Sequence, residues 1–382
     1  MNFEFSEDHK FFRERVSDLL KKLVLPHASR IDEEEGFPEN LFKEFGRLGY
    51  FGIRYPEEIG GMNADCITFT IFAEELARVS MGFAAITTMQ CLMGTEFIHS
   101  FGTKEQKERC LIPAIKGEKV GTIAFTEPNC GSDLGSIQTY AKKEGDGYIL
   151  NGRKMWITNG AVADFVTVVA SIDPSKRING LAFFLVEKGT PGFSVGQKIE
   201  KISAKGANTA ELIFDNCYLP KENLLGEEGK GVIYLEKILN EIRIMMAALG
   251  LGLAKSAFET GIRYAKEREA FGRPISKFQL IQEKIAEMDT KITNSQLLTY
   301  YTAWLKDQGR PHYKEAAMAK FYSTETASFV VDEVTRIHGA YGIAKEYNAQ
   351  RYFRDARFLL FGGGTSEILK IIIARERLKE AI

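Results

Sequence analysis

The sequence predicts an α+β multidomain protein with an N-terminal α-helical domain (residues 1–118), a middle antiparallel β-domain (119–226) and a C-terminal four-helix bundle (227–382). Hydrophobic residues recur at helical spacing in the first and last sections, whereas the middle section consists of short runs rich in β-branched and aromatic residues. Helical and strand patterns do not alternate along the chain. This order excludes a Rossmann fold, which needs repeated βαβ units.

In the N-terminal section, the apolar segment 83–102 has weak periodicity and is predicted to be one helix buried on most sides. In the middle section, the dipeptides Asp146-Gly147, Asn151-Gly152 and Asn159-Gly160 predict hairpin turns, because these residues tolerate positive φ. In the C-terminal section, a helical face is predicted from the spacing of Ile281, Ile285, Met288, Ile292, Leu297, Leu298, Tyr301 and Trp304.

Composition excludes several classes of function. The formal net charge is −1, so we expect no nucleic acid partner, and no apolar run reaches the length of a membrane span. The 5 cysteines are scattered without a C-x-x-C pair, which indicates a reducing, cytoplasmic setting and no structural zinc. The histidines form no H-E-x-x-H motif, so we expect no metal site.

Three segments carry residues suited to chemistry. The turn AFTEPNCGSDLGS (124–136) offers backbone donors and hydroxyls for a heterocycle or phosphate, or is simply a capped loop. In KMWITNG (154–160), Trp156 and Thr158 share a strand face that suits a planar ring, although a lone Trp is more often core. Around REAFGRPISKF, Arg268 suits a phosphate or is a solvated helix end, with Phe271 between it and Arg273.

Taken together and in order, AFTEPNCGSD, KMWITNG, REAFGRPISKFQLIQ, RIHGAYG, FRDAR and GTSEI closely resemble the acyl-CoA dehydrogenase family, and the resemblance covers essentially the whole chain. It implies the three-domain fold described above, FAD as cofactor and an acyl-CoA thioester as substrate. It also implies an electron-transfer flavoprotein as partner and a homotetramer built as a dimer of dimers.

The resemblance also implies site residues. Ser132 would touch both flavin and CoA, and Arg243 matches an arginine near the catalytic carboxylate and the CoA. Arg336 stands where the family usually has Gln. The implied FAD-binding residues are Phe125, Thr126, Gly131, Ser132, Trp156, Thr158, Thr365 and Glu367 and, across a subunit interface, Arg268, Phe271, Gln279, Arg336 and Gly339.

The family reaction removes an α-proton with a carboxylate while the β-hydrogen passes as hydride to flavin N5. That base is usually a Glu directly before Gly-Thr, where this chain has Gly363, whose N–H the resemblance implies for polarising the thioester carbonyl. A minority of members keep it directly before the arginine, where this chain has Ile242. Both usual positions are therefore without a base, as in members that act on alicyclic CoA thioesters.

Replacement bases are Cys91, in the helix whose family counterpart lines the acyl pocket, and Glu241, with Glu96 as a weaker option. A packed core cysteine and a carboxylate at the helix surface are the plainer interpretations of the first two. We expect a dehydrogenase of a CoA thioester, with a cyclic or vinylogous acyl group as one option. A flavin monooxygenase or N-oxygenase, an enoyl-CoA reductase and a non-catalytic flavoprotein are the alternatives. The acyl group, CoA against acyl-carrier protein, and the redox direction stay open.

Overall fold

The computed structural model describes residues 4–380. Its N-terminal part is helical, with α1 Glu7–Leu23, α2 Ala28–Glu34, α3 Glu39–Arg47, α4 Cys66–Val79, α5 Met81–Thr88, α6 Glu96–Phe101, α7 Lys104–Gln106 and α8 Ile112–Ile115.

The segment predicted as one buried helix over 83–102 is in fact broken. It is buried as expected, but α5 passes into a π-helical turn over Met89–Met93 before α6 begins. At the break, a Cβ on Gly94 would lie 2.5 Å from the carbonyl oxygen of Gly121. The chain crosses the first strand of the sheet so closely that only glycine fits there.

The middle part forms a sheet in the strand order β6-β7-β3-β2-β4-β5-β8, with β1 beside β4. Most pairs are antiparallel, as predicted, but β1 pairs with β4 in parallel, so the sheet is mixed. The strands are β1 Gly121–Ala124, β2 Tyr140–Glu144, β3 Gly147–Ile157, β4 Phe165–Ser171, β5 Leu181–Glu187, β6 Phe193–Lys198, β7 Ala210–Pro220 and β8 Leu224–Leu225.

The prediction of a hairpin turn at Asn151-Gly152 is wrong. These residues lie inside β3, where the pairing with β7 shifts register between Leu150 and Gly152. Gly152 has φ +147°, and a Cβ there would lie 2.4 Å from the Oγ1 atom of Thr139. The glycine marks a β-bulge, because the segment that holds Thr139 approaches the backbone closely here. A bulge or a close backbone approach is a usual reason for a glycine inside a strand.

The C-terminal part is a bundle in which α9, α10 and α11 pack on one another and α12 and α13 pack on α11. Its helices are α9 Gly231–Glu267, α10 Gln279–Asp307, α11 Tyr313–His338, α12 Asn348–Leu359 and α13 Ser366–Glu380, with a hairpin of β9 Glu269–Ala270 and β10 Arg273–Pro274 after α9. The predicted boundaries at 118/119 and 226/227 fall in connections between these elements, while residues 1–3 and 381–382 lie outside the described range.

The predicted face of α10 is right only in its first half. Met288 and Ile292 are buried, but Leu297, Tyr301 and Trp304 are exposed. The buried face continues instead through Ser295, Thr299, Thr302 and Ala303, whose small or polar side chains give no hydrophobic period. The spacing of apolar residues therefore predicted the wrong buried face for the second half of α10.

Helix α4 joins the N-terminal part to the bundle by packing on α9. The contact is so close that a Cβ on Gly252 would lie 2.1 Å from the backbone oxygen of Glu74. The buried Glu74 carboxylate accepts a 2.7 Å hydrogen bond from Lys255 of α9. Within the described residues, no helix has the length and apolarity to cross a membrane.

We predict that Gly152→Ala lowers the free energy of unfolding by about 1–3 kcal/mol, because the new methyl group overlaps Thr139 and the bulge needs an unusual backbone conformation. The midpoint of thermal unfolding measures this. Gly36→Ala is the matched control, since nothing lies within 4 Å of its Cβ. Equal midpoints for the two variants would contradict the role assigned to Gly152.

Candidate active site

Trp156 is presented at the end of β3 by a second bulge. The register with β7 shifts between Lys154 and Ile157, and Trp156 has φ 63°. Its side chain is 58% exposed, whereas most large apolar side chains of the sheet are buried. A bulge redirects a side chain out of the regular alternation. The indole is therefore aimed away from the core. Thr158 lies in the turn after β3, so the prediction that it shares a strand face with Trp156 is wrong, because the strand is bulged at Trp156 and ends at Ile157.

A buried ion pair attaches the turn after β1 to this strand. The Nζ atom of Lys154 lies 2.7 Å from a carboxylate oxygen of Glu127 and donates to the carbonyl of Phe125 at 3.0 Å. The backbone N–H of Met155 donates to the carbonyl of Thr126 at 2.8 Å. These bonds bring Phe125 and Thr126 beside the strand that carries Trp156 and leads to Thr158.

The pair is ionised at neutral pH. Burial lowers the pKa of Lys154 to about 8, and Glu127 opposes that shift. Burial alone would raise the pKa of Glu127, but Lys154 and the backbone N–H groups of Gln138 and Thr139 lower it overall. Sequence reasoning overlooked both residues. The sequence feature that could have identified them is a charged residue beside apolar ones: the Glu of AFTE and the Lys of KMWI.

The other residues implied for FAD are distributed over separate surfaces. Gly131 and Ser132 are exposed on the turn, and Arg336, at the end of α11, pairs with Asp332 at 2.7 Å. Gly339 follows α11 with φ 60°. Thr365 and Glu367 lie at the start of α13, where Thr365 Oγ1 accepts from the N–H of Ile368 at 3.4 Å.

The hairpin after α9 carries the most exposed aromatic ring. Phe271 is 95% exposed with φ 50°, and Arg268 and Gln279 beside it are exposed as well. In the single chain, these three residues do not meet the turn near Trp156 in any recorded hydrogen bond or ring contact.

The glycine-rich loop Gly362–Gly364 packs against α9. Within the described residues, a Cβ on Gly363 would lie 3.3 Å from Ile242 Cγ2 and 3.4 Å from Met246 Cγ, with no other atom within 4 Å apart from those of the neighbouring residues. The two positions that sequence reasoning associated with a base, Gly363 and Ile242, therefore face each other although 121 residues separate them. Both are without an ionisable group.

Lys320 holds this loop in place. Its fully buried Nζ donates to the carbonyls of Leu360 at 3.1 Å and Gly364 at 2.7 Å. Burial lowers its pKa to about 8. In the sequence it is the only charged residue in the stretch AAMAKFY, and it was not identified as a site residue.

The candidate replacement bases are engaged elsewhere. The Cys91 thiol is buried and donates to the carbonyl of Tyr50 at 3.4 Å, and burial raises its pKa, so it is a poor base. The Glu241 carboxylate is bonded to Arg54 and lies 2.7 Å from Lys306. Glu96 lies 3.0 Å from Arg54. Arg54, the centre of this cluster, was overlooked; an arginine inside the apolar run YFGIRY was the signal.

These residues fit a flavin. An exposed indole stands at a bulge, a hydroxyl follows it, and a polar turn is bonded to the same strand, which together match a flat heterocycle with hydrogen-bonding edges. The N-terminal end of α13 and the exposed Arg268 suit phosphate groups. FAD would supply the two-electron acceptor.

Family models match nearly the whole chain: "Acyl-CoA dehydrogenase, N-terminal domain" over 6–118, "middle domain" over 122–217 and "C-terminal domain" over 229–378. The chain belongs to the acyl-CoA dehydrogenase family. It is an FAD-dependent flavoprotein oxidoreductase acting on CH–CH bonds of acyl-CoA, by dehydrogenation or enoyl-CoA reduction.

Two relatives are of particular interest. Benzylmalonyl-CoA dehydrogenase of Aromatoleum aromaticum is 45% identical, with 98% of this chain and 99% of the relative covered. The 3-(aryl)acrylate reductase of Clostridium sporogenes is 40% identical, with 98% and 100% covered.

Solved structures agree with the fold. Butyryl-CoA dehydrogenase from Megasphaera elsdenii is similar with a TM-score of 0.95 and 36% identity, covering 99% of this chain and 100% of the other. A chain described as electron transferring flavoprotein of Acidaminococcus fermentans has a TM-score of 0.96 and 39% identity, covering 99% and 100%. An FAD complex of PigA has a TM-score of 0.95 and 27% identity, covering 98% and 99%.

We predict that Lys154→Met lowers the free energy of unfolding by about 3–5 kcal/mol, because it leaves the buried Glu127 charge without its partner. The same variant releases FAD more readily, since the turn loses both Lys154 bonds and keeps the backbone bond from Met155 to Thr126 as its attachment to β3. Thermal midpoint and flavin retention on gel filtration measure the two effects. Arg153→Met, at the next residue, removes only an exposed pair with Glu211 and is the control. Unchanged flavin retention in Lys154→Met would contradict the prediction.

Proposed function

We propose that this protein oxidatively decarboxylates a 2-substituted malonyl-CoA to an α,β-unsaturated acyl-CoA. The observation that carries the proposal is the environment of Gly363. The atoms closest to a Cβ there belong to Ile242 and Met246, and neither Gly363 nor Ile242 offers a carboxylate. A positioned base is worth about 10²–10⁴ in rate, and the acyl-CoA reaction is slow without one.

A substrate that carries a carboxylate on its α-carbon does not need that base. The bond from the α-carbon to the carboxylate breaks, CO2 leaves, and the electron pair moves into the thioester as an enolate. The β-hydrogen then leaves with its electron pair, and a double bond forms between the α- and β-carbons. The substrate loses two electrons to FAD, and no enzymic base takes part.

The space at Gly363 suits such a substrate. Glycine leaves unfilled the volume that a glutamate side chain would occupy, and the substrate carboxylate has similar chemistry. The apolar walls from Ile242 and Met246 disfavour a full negative charge and therefore favour release of neutral CO2. Similarity to Benzylmalonyl-CoA dehydrogenase supports the same class of substrate, a thioester with an α-carboxylate.

Our expectation of a cyclic or vinylogous substrate is now the less favoured option. It requires a free base further along the acyl pocket. Cys91 donates to a backbone carbonyl, and Glu241 and Glu96 are bonded to Arg54. None of the three is available without breaking an existing interaction.

Enoyl-CoA reduction is the second candidate. Similarity to the 3-(aryl)acrylate reductase favours it. In that direction the β-carbon would gain a hydride, which reduced FAD would supply, and the α-carbon would take its proton from water. A monooxygenase or a non-catalytic flavoprotein has no comparable support.

We also propose how the cofactor is held and where its electrons go. Phe125, Thr126, Gly131, Ser132, Trp156 and Thr158 would bind the flavin of their own chain, and Thr365 and Glu367 its adenosine end. The exposure of Phe271, Arg268 and Gln279 supports their reaching the FAD of a neighbour in a homotetramer, together with Arg336 and Gly339. Similarity to the flavoprotein of Acidaminococcus fermentans supports an electron-transfer flavoprotein as the acceptor.

We predict that 2-benzylmalonyl-CoA or 2-ethylmalonyl-CoA bleaches the flavin absorbance of the anaerobic wild-type protein and releases one CO2 per flavin reduced. The matched thioesters without the carboxylate, 3-phenylpropanoyl-CoA and butanoyl-CoA, bleach it at least about 100-fold more slowly. Equal rates for a matched pair would overturn the proposal. Reoxidation of the pre-reduced flavin by cinnamoyl-CoA, without bleaching by any malonyl thioester, would establish the reductase instead.

We predict that Gly363→Glu reverses this preference. The new carboxylate acts as an α-base, so 3-phenylpropanoyl-CoA is oxidised at least about 100-fold faster than by the wild type. The same side chain fills the space for the substrate carboxylate, so the benzylmalonyl thioester reacts more slowly. Gly363→Gln is the control, because it has the same size and no basic group, and it loses the malonyl activity without gaining the other. A gain in Gly363→Gln equal to that in Gly363→Glu would contradict the argument.

A further inference from the structure

Arg243 is a buried cation without an anionic partner in the described residues. It is 4% exposed, and its Nε atom has no hydrogen-bond partner there. Its Nη1 atom donates to the amide oxygen of Asn240 at 3.1 Å, and its guanidinium lies 5.2 Å from the centre of the ring of Tyr313, whose side chain also hydrogen-bonds to it. The carboxylate closest in sequence, Glu241, is bonded to Arg54 and paired with Lys306 instead.

An isolated buried charge is expensive, and proteins usually pair or neutralise it. Burial lowers the pKa of Arg243, although arginine stays protonated at neutral pH. Two partly buried arginines do have carboxylates: Arg54 has Glu96 and Glu241, and Arg13 lies 3.3 Å from Glu74. Arg351 is 7% exposed and, like Arg243, has no ion pair among the described residues, so Arg243 is distinguished by its place next to Ile242 on α9.

The location of Arg243 connects it to the loop at Gly363. Ile242 directly precedes it on α9, and Met246 is one turn further along; these are the two side chains that a Cβ on Gly363 would meet. The Arg243 charge also acts on Lys320, which is bonded to Gly364. A glutamate at 363 would have added a negative charge to this loop, and this chain has none at that position.

We propose that Arg243 is the specificity-determining residue that binds the α-carboxylate of the substrate. The inference rests on the proposed function, since it assigns a receptor to the group that leaves as CO2. Guanidinium is the side chain best suited to a carboxylate, because it offers charge and directed N–H donors together. The substrate thus brings the negative charge that the glycine loop lacks.

This role concerns recognition more than bond breaking. A strong ion pair stabilises the carboxylate before CO2 leaves, so Arg243 contributes mainly to substrate binding. The apolar side chains of Ile242 and Met246 favour the departure of CO2. Removing the guanidinium should therefore raise the half-saturating substrate concentration much more than it lowers the limiting rate.

The test compares wild type, Arg243→Met and Arg243→Lys as FAD-loaded protein. Anaerobic rapid mixing with 2-benzylmalonyl-CoA gives the half-saturating concentration and the limiting rate of flavin bleaching. Arg243→Met is expected to raise the former at least about 30-fold and to change the latter by less than about 5-fold, with partial recovery in Arg243→Lys. Any loss of 3-phenylpropanoyl-CoA binding, followed by perturbation of the flavin absorbance, is expected to be at least about 10-fold smaller than the loss for the malonyl thioester.

Two outcomes would overturn the inference: equal weakening of both thioesters, or unchanged binding of the malonyl thioester. The thermal midpoint of Arg243→Met gives an independent readout, because removing an unpaired buried charge does not destabilise the fold. A fall of several degrees would show a structural arginine.

Failure of the proposed function is a separate result. If benzylmalonyl-CoA never bleaches the wild-type flavin, calorimetric titration of the two matched thioesters into wild type and Arg243→Met still decides the inference. A preference for the carboxylated thioester that only the wild type shows supports Arg243 as its receptor, and a preference common to both proteins overturns it.

Discussion

The contact between the glycine loop and α9 is the constraint on which the proposed chemistry depends. Lys320, buried in α11, donates to the carbonyls of Leu360 and Gly364 and so joins the end of α12 to the start of α13. The middle glycine, Gly363, then lies against the face of α9 that carries Ile242 and Met246. Two carbonyls that would otherwise be unpaired at a helix end are satisfied by a single side chain.

A second buried lysine, Lys154, holds the segment expected to bind the flavin, as Lys320 holds the glycine loop. The Lys154–Glu127 pair connects the turn after β1 to β3, and the bulge on β3 turns Trp156 outward. Both anchors are buried lysines whose ammonium groups serve backbone carbonyls, and both have a pKa lowered by burial to about 8. Each holds an irregular segment in place, since a regular strand or helix needs no such support.

Charge is distributed unevenly around the site. On the Arg54 side, two carboxylates and two cations neutralise one another. On the other side, the Lys320 ammonium is bonded to the carbonyl of Gly364 in the glycine loop, and the buried Arg243 guanidinium has no carboxylate partner among the described residues. A site of this kind favours a substrate that carries its own negative charge, because binding then removes an uncompensated buried charge from the protein.

The sequence by itself determined the division into helical, β and helical sections, the family, and FAD as the cofactor. Those conclusions rest on the spacing of apolar residues in each section and on motifs whose order can be seen along the chain. It also identified the absence of a glutamate before Gly364. The close approach of other segments to Gly94 and Gly152 could not be predicted. The sequence predicts a helix interior at Gly94 and a turn at Gly152, because the atoms that exclude a side chain there come from distant segments.

Only the tertiary structure decided which polar groups are paired. Lys154, Glu127, Lys320 and Arg54 appear in the sequence as ordinary charged residues, and their importance comes from burial, which residue type does not reveal. Cys91 matched the expected acyl pocket and Glu241 lies next to the second base position, yet their hydrogen bonds engage them elsewhere. Arg243 is informative for the opposite reason, because folding buries it and supplies no anion among the described residues.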